Sequence, residues 1–179
     1  MSAMLFPSCT GNKKAANNDT EKTALLVDDI LAVAEHEVDK TVTVEGLCTH
    51  ICSHGGKKLF LMGNDDSKTI RVESNDDLGA FKSECVNSLV RVKGQLKEER
   101  IDEAYLLNWE NEIEEGTAEQ HGDDGEGCET EQKAQGQDSV SSEAGRIKDF
   151  RNRIAERNDA EGKNYLSFYY IEATEYSIL

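Results

Sequence analysis

Thr41-Val-Thr-Val-Glu-Gly46 alternates β-branched residues and runs on through Leu47-Cys-Thr-His-Ile-Cys-Ser53, the pattern of one long strand. Four further segments read the same way, at 58–62, 69–73, 88–96 and 165–178. Strands of this kind have an apolar face to hide, and a set of five does so by curling round a common interior. Gly55-Gly56 suits a two-residue hairpin turn between the first two strands, because both central positions need positive φ. Gly46 falls where a long first strand must bend sharply, which glycine permits. Turns or helices join every consecutive pair, so antiparallel pairing is open to all of them.

Helical patterns fill the gaps. Leu26, Ile30, Ala34 and Val38 recur every fourth residue, with Asp28-Asp29 suited to a first turn. A short helical stretch carries Leu78 and Phe81. Ile101, Tyr105, Leu106, Trp109 and Ile113 share one helical face, and Ile147, Phe150 and Ile154 share another. Residues 114–145 differ from the rest: ten carboxylates stand against one base, Lys133, with six glycines and Val140 as the one β-branched aliphatic residue. Such a stretch buries too little apolar surface to order itself and is expected to be a loop. Four parts result: a signal remnant and tether at 1–24, strands and flanking helices at 25–113, an acidic flexible loop at 114–141, and a helix plus closing strand at 142–179. The expected class is α+β, a five-stranded antiparallel OB-like β-barrel with an N-terminal helix and a helical insertion before the last strand.

Charge narrows the partners. The formal net charge of −16 repels a phosphate backbone unless bases gather in a stripe, and Lys13-Lys14 and Lys57-Lys58 are isolated pairs. Nucleic acid is not expected, nor is adhesion to anionic lipid through basic residues. No apolar run reaches the roughly 18 residues of a membrane-spanning helix. The start is nonetheless suggestive. Met1-Ser-Ala-Met-Leu-Phe-Pro-Ser-Cys9 is apolar and a small, polar stretch follows it, as at the end of a lipoprotein signal peptide with Cys9 as the lipidated residue. An incidental cysteine in a tail is the alternative.

Val42-Thr-Val-Glu-Gly46, the Cys/His strand after it and Arg91-Val-Lys-Gly94 make residues 27–113 resemble the small exported OB-fold lipoproteins of Gram-negative bacteria. That resemblance implies a periplasmic or outer-membrane-anchored protein, held to the membrane only through a lipid at Cys9. It does not choose a ligand, because OB-fold relatives bind nucleic acids, carbohydrates, haem or proteins.

The densest chemistry is Cys48-Thr-His50-Ile-Cys52-Ser-His54. Alternate residues of a strand share a face, and thiolate and imidazole are ligands for zinc or copper. Six steps of about 3.3 Å put Cys48 roughly 20 Å from His54, too far for all four to hold one ion. The expected set is Cys52 and His54, completed by His121 and Cys128 from the acidic loop, with Cys48 and His50 as alternates. Asp123, Asp124 and Glu126 offer calcium a second possibility, though without a full EF-hand pattern. Structural readings compete. Cys48 can pack as a small hydrophobe opposite Leu61 or Gly63, Cys85 can pair with Cys48 or Cys52 as a disulfide, and a thiol-redox role is open. Trp109 and Tyr105 read as helix-to-sheet packing, and the tyrosines of 165–176 as core with some exposed contact surface. No nucleophile elbow or phosphate-cradling glycine loop occurs. The expectation is therefore a non-catalytic envelope-tethered binding or scaffold protein for a protein or small molecule. A metal- or haem-handling protein is the alternative.

Overall fold

The computed structural model describes residues 23–53, 55–117, 128–137, 140 and 142–179. The barrel is built from β2 (Thr41–Ile51), β3 (Lys58–Met62), β4 (Thr69–Ser74), β5 (Leu89–Asp102) and β6 (Tyr165–Ile178), with β1 (Leu25–Leu26) added in parallel to β2. Around the ring the order is β2-β3-β4-β6-β5, and β5 pairs back onto β2 to close it. This is an OB-like barrel with helices, α+β in class. The pairing is mixed rather than wholly antiparallel, because β4 and β6 run parallel from Arg71 beside Tyr170 to Ser74 beside Ala173. The reason is parity: a closed ring with an odd number of strands cannot alternate direction at every junction.

The barrel interior is the apolar face of each strand. Val42, Val44 and Cys48 from β2 meet Leu59, Leu61, Ile70, Val72, Val90, Val92, Leu96, Ile171 and Ala173, all buried. Val27, Ile30 and Ala34 of α1 (Val27–Glu37) plug one side of it. The buried face of α1 thus runs through Val27, and Leu26 is exposed in β1 instead of opening the helix. Gly46 is where this helix crosses the sheet: a Cβ there would lie 2.8 Å from Val27 Cγ2 and 3.0 Å from Leu61 Cβ. Gly94 serves the other seam, since a Cβ would lie 2.2 Å from the Glu172 carbonyl oxygen, beside the register shift between Lys93 and Gly94.

β5 and β6 continue past the barrel as a ribbon, paired from Val90–Ile178 to Asp102–Tyr165. The helical insertion packs on that extension. Ile101 belongs to the strand, not the helix, and α2 (Glu103–Glu115) begins where Asp102 accepts a hydrogen bond from the Tyr105 N–H at 2.9 Å. α4 (Glu143–Glu161) starts in the same way, with Ser142 Oγ accepting from the Gly145 N–H. Leu106, Ile147 and Phe150 bury against Ile101, and Trp109, Ile113, Ile154, Leu166 and Phe168 pack round them as a second small core. The stretch around Leu78 and Phe81 is turn followed by a short 3₁₀ turn at Ser83–Cys85 rather than helix.

Part of the acidic segment is ordered after all. Residues 129–134 form α3 (Glu129–Ala134), with Gln132 buried within it and Gln137 buried just after it. Apolar burial does not fix it there. Polar contacts do: Glu131 reaches Arg71 and Lys58 on the barrel, and Gln135 at its C-terminal end accepts from Arg146 and Arg153 of α4.

Candidate functional site: a charged cleft between barrel and insertion

Arg71 projects from the outer face of β4 between the buried Ile70 and Val72. Its Nη2 donates to Glu99 Oε2 at 2.9 Å and its Nη1 to Glu131 Oε1, while Glu73 Oε1 lies 3.1 Å from Nε in ion-pair contact without hydrogen-bond alignment. The ring of Tyr170 lies under the guanidinium, 4.8 Å away. Burial opposes the charge on Arg71, and Glu99, Glu131 and Glu73 more than offset it, so the guanidinium titrates above its ordinary range. Lys58 Nζ adds a second contact to Glu131, at 3.5 Å. This cluster ties strands β3, β4 and β5 to α3.

Above it opens a cleft of about 600 Å³ between the barrel and α2, α3 and α4. One wall holds Lys58, Arg71, Glu73 and Glu99. The other holds Tyr105, Trp109, Glu112, Glu143 and Arg146. Arg146 lies over Trp109, its guanidinium carbon 4.9 Å from the ring centroid, and is held by neutral amides: Nε donates to Gln137 Oε1 at 2.9 Å and Nη2 to Gln135 Oε1 at 2.8 Å. Gln137 is in turn fixed by donating to the Arg146 carbonyl oxygen and to Asp149 Oδ2. Among the described residues no carboxylate pairs with Arg146. Burial pulls its titration down from the ordinary arginine range, and Glu131 and Glu143 oppose this only from beyond ion-pair distance.

The residues expected to bind metal divide. His54 and His121, and Cys9 for the lipid, lie outside the described residues. Cys48 is fully buried inside the barrel opposite Leu61, as its packing alternative holds; burial first and Cys85 second push its thiol up to about 12. A register shift in β2 between Cys48 and His50 breaks the shared face that simple alternation implies, and the His50 ring rests against Phe60 at 5.9 Å. Cys52 is buried at the base of the β2–β3 hairpin, where its N–H donates to the Lys58 carbonyl oxygen. Cys128 precedes α3 and lines the cleft. Burial raises the Cys128 thiol, and the neighbouring charges of Cys52 and Glu131 add to it. Cys48, Cys52, Cys85 and Cys128 are free thiols, and among the described residues no group of three or more metal-ligating side chains gathers.

Trp109 packs on the second core as expected, Tyr105 is exposed rather than packed, and both line the cleft. The tyrosines of β6 are half-covered by arginines rather than bare: Arg100 and Arg157 lie over Tyr165, and Tyr176 packs edge-on to Phe81. Sequence reading missed Arg71, Glu131 and Arg146. The available signal was Arg71 standing alone between apolar residues of a strand, with an acidic segment downstream in need of an anchor.

No family profile and no curated protein matches the chain. Among solved structures it is similar to a putative aspartyl-tRNA synthetase from Leishmania major Friedlin, at 19% identity and a TM-score of 0.32. That likeness covers 54% of this chain and 19% of the other, and it carries no argument about activity. Among the described residues no helix is long and apolar enough to cross a membrane.

Proposed function

We propose that the chain is a non-catalytic binding module of the cell envelope, tethered through a lipid at Cys9, whose ligand sits in the cleft between barrel and helical insertion. The observation that carries this reading is the cleft itself. Its volume of about 600 Å³ suits a small molecule or the end of a peptide. Its floor is prepaid in charge, because Glu73, Glu99 and Glu131 are engaged by Arg71. Carboxylates held this way brace a binding surface and are poorly placed to trade protons with a substrate. The envelope location rests on the apolar start before Cys9 and on the resemblance to exported OB-fold lipoproteins.

Trp109 is the single tryptophan and lines the cleft, which supplies a direct test. A panel of small polar metabolites and short peptides titrated into the full chain is expected to give at least one saturable change in intrinsic fluorescence, with the ligand recovered unaltered. A panel in which every binder leaves Trp109 unmoved overturns the cleft as the seat, and a recovered product overturns the non-catalytic role.

A further inference from the structure

Two arginines line the cleft, and their surroundings differ in charge. Arg71 has three carboxylates within ion-pair distance. Arg146, half-buried and lowered onto Trp109, has two glutamine oxygens and no carboxylate partner among the described residues. A partly desolvated guanidinium with no carboxylate in ion-pair contact is costly to keep, and an arriving anion that completes its fork recovers that cost in charge-assisted hydrogen bonds. The fork is already oriented. Nε and Nη2 are fixed by Gln137 and Gln135, and Nη1 makes no hydrogen bond among the described residues. Arg146 also stands in the first turn of α4, where the helix dipole favours negative charge.

The rest of the lining sets the other pole of the ligand. Glu112 and Glu143 share the wall with Arg146, and no ion pair engages either of them among the described residues. Glu112 accepts one hydrogen bond, from Asn108 Nδ2 at 2.6 Å. A polyanion would meet the field of the whole chain, formally −16, whereas a molecule carrying one charge of each sign would not.

We propose that Arg146 on Trp109 is the seat for the carboxylate of a small zwitterionic ligand, of the amino-acid or short-peptide class, with its ammonium group turned to Glu112 and Glu143. This rests on the cleft being the ligand seat and names the chemistry that it selects.

The tripeptide Ala-Ala-Phe with free ends is titrated into the full chain by calorimetry and by Trp109 fluorescence, beside its C-terminal amide and its N-acetyl form. The free-ended peptide is expected to bind saturably, and each blocked form to bind at least about tenfold more weakly. Arg146→Met is expected to erase the preference for acid over amide while leaving the preference for the free amine. Arg146→Lys, which keeps the charge but not the planar fork, is expected to keep part of the first preference. Equal binding of acid and amide, an acid preference that survives Arg146→Met, or no binding of the free-ended peptide overturns the proposal. Should Arg146→Met fail to fold by circular dichroism, the blocked peptides on the unaltered chain and Arg146→Lys still decide. A different ligand that moves Trp109 fluorescence and is indifferent to Arg146→Met leaves the cleft as the binding seat and removes only the carboxylate reading.

Discussion

Two glycines and one cysteine show how closely single residues are held. At Gly94 a methyl group would strike the backbone of β6 at Glu172, and a main-chain atom cannot rotate out of the way. Gly94→Ala is therefore expected to cost about 1–3 kcal/mol or more, read as a lower urea midpoint at unchanged slope. Gly46→Ala meets side chains of Val27 and Leu61, which have some room to shift, and is expected to cost less. Cys48 has a pH signature. Its thiol titrates near 12 in the folded barrel and near the ordinary thiol value of 9.0 once exposed. The unfolded chain therefore gives up its proton first, so stability is unaffected below about pH 9 and declines from there toward 12. Denaturation midpoints measured across that range should fall, and Cys48→Val should flatten the decline. Native Cys48 should also stay unmodified by a thiol reagent at pH 8 and react only on unfolding.

Among the elements, α3 is the one whose place depends most on charge. Its six residues are too few to be helical alone, and Glu131 secures them to Arg71 and Lys58. Glu131→Gln is expected to raise amide exchange across 129–137 while β2 and β5 keep their protection. Arg71→Met should do more. It leaves Glu73, Glu99 and Glu131 crowded without their cation, a loss of about 3–5 kcal/mol measurable by chemical denaturation. These contacts explain what the sequence could not disclose. Strand periodicity located β2 to β6, because each carries its own alternating pattern. The cleft depends on Arg71 meeting a glutamate from a segment 60 residues later, and local pattern holds no record of such a meeting. Reading residues 114–141 by apolar content alone missed α3 for the same reason, since ionic anchoring leaves no hydrophobic trace.

On the scale of the molecule, charge and topology govern behaviour. With 36 acidic residues against 20 basic ones, and with Arg151 and Arg157 of α4 paired to Glu103, Glu110 and Glu161, the charge balance opposes a phosphate chain. A single-stranded oligonucleotide mixed with the protein at about 0.1 M salt should migrate as free nucleic acid; retention that weakens steeply with added salt would show otherwise. The mixed pairing of the sheet was open to sequence reasoning too, since five strands in a closed ring admit no other outcome.

The position of β6 sets the timing of assembly. It is the wedge between β4 and β5, so in any order of folding those two strands keep naked edges until β6 docks. Docking of that single strand closes both seams at once, and a chain lacking 165–178 is expected to leave β4 and β5 unpaired along those edges.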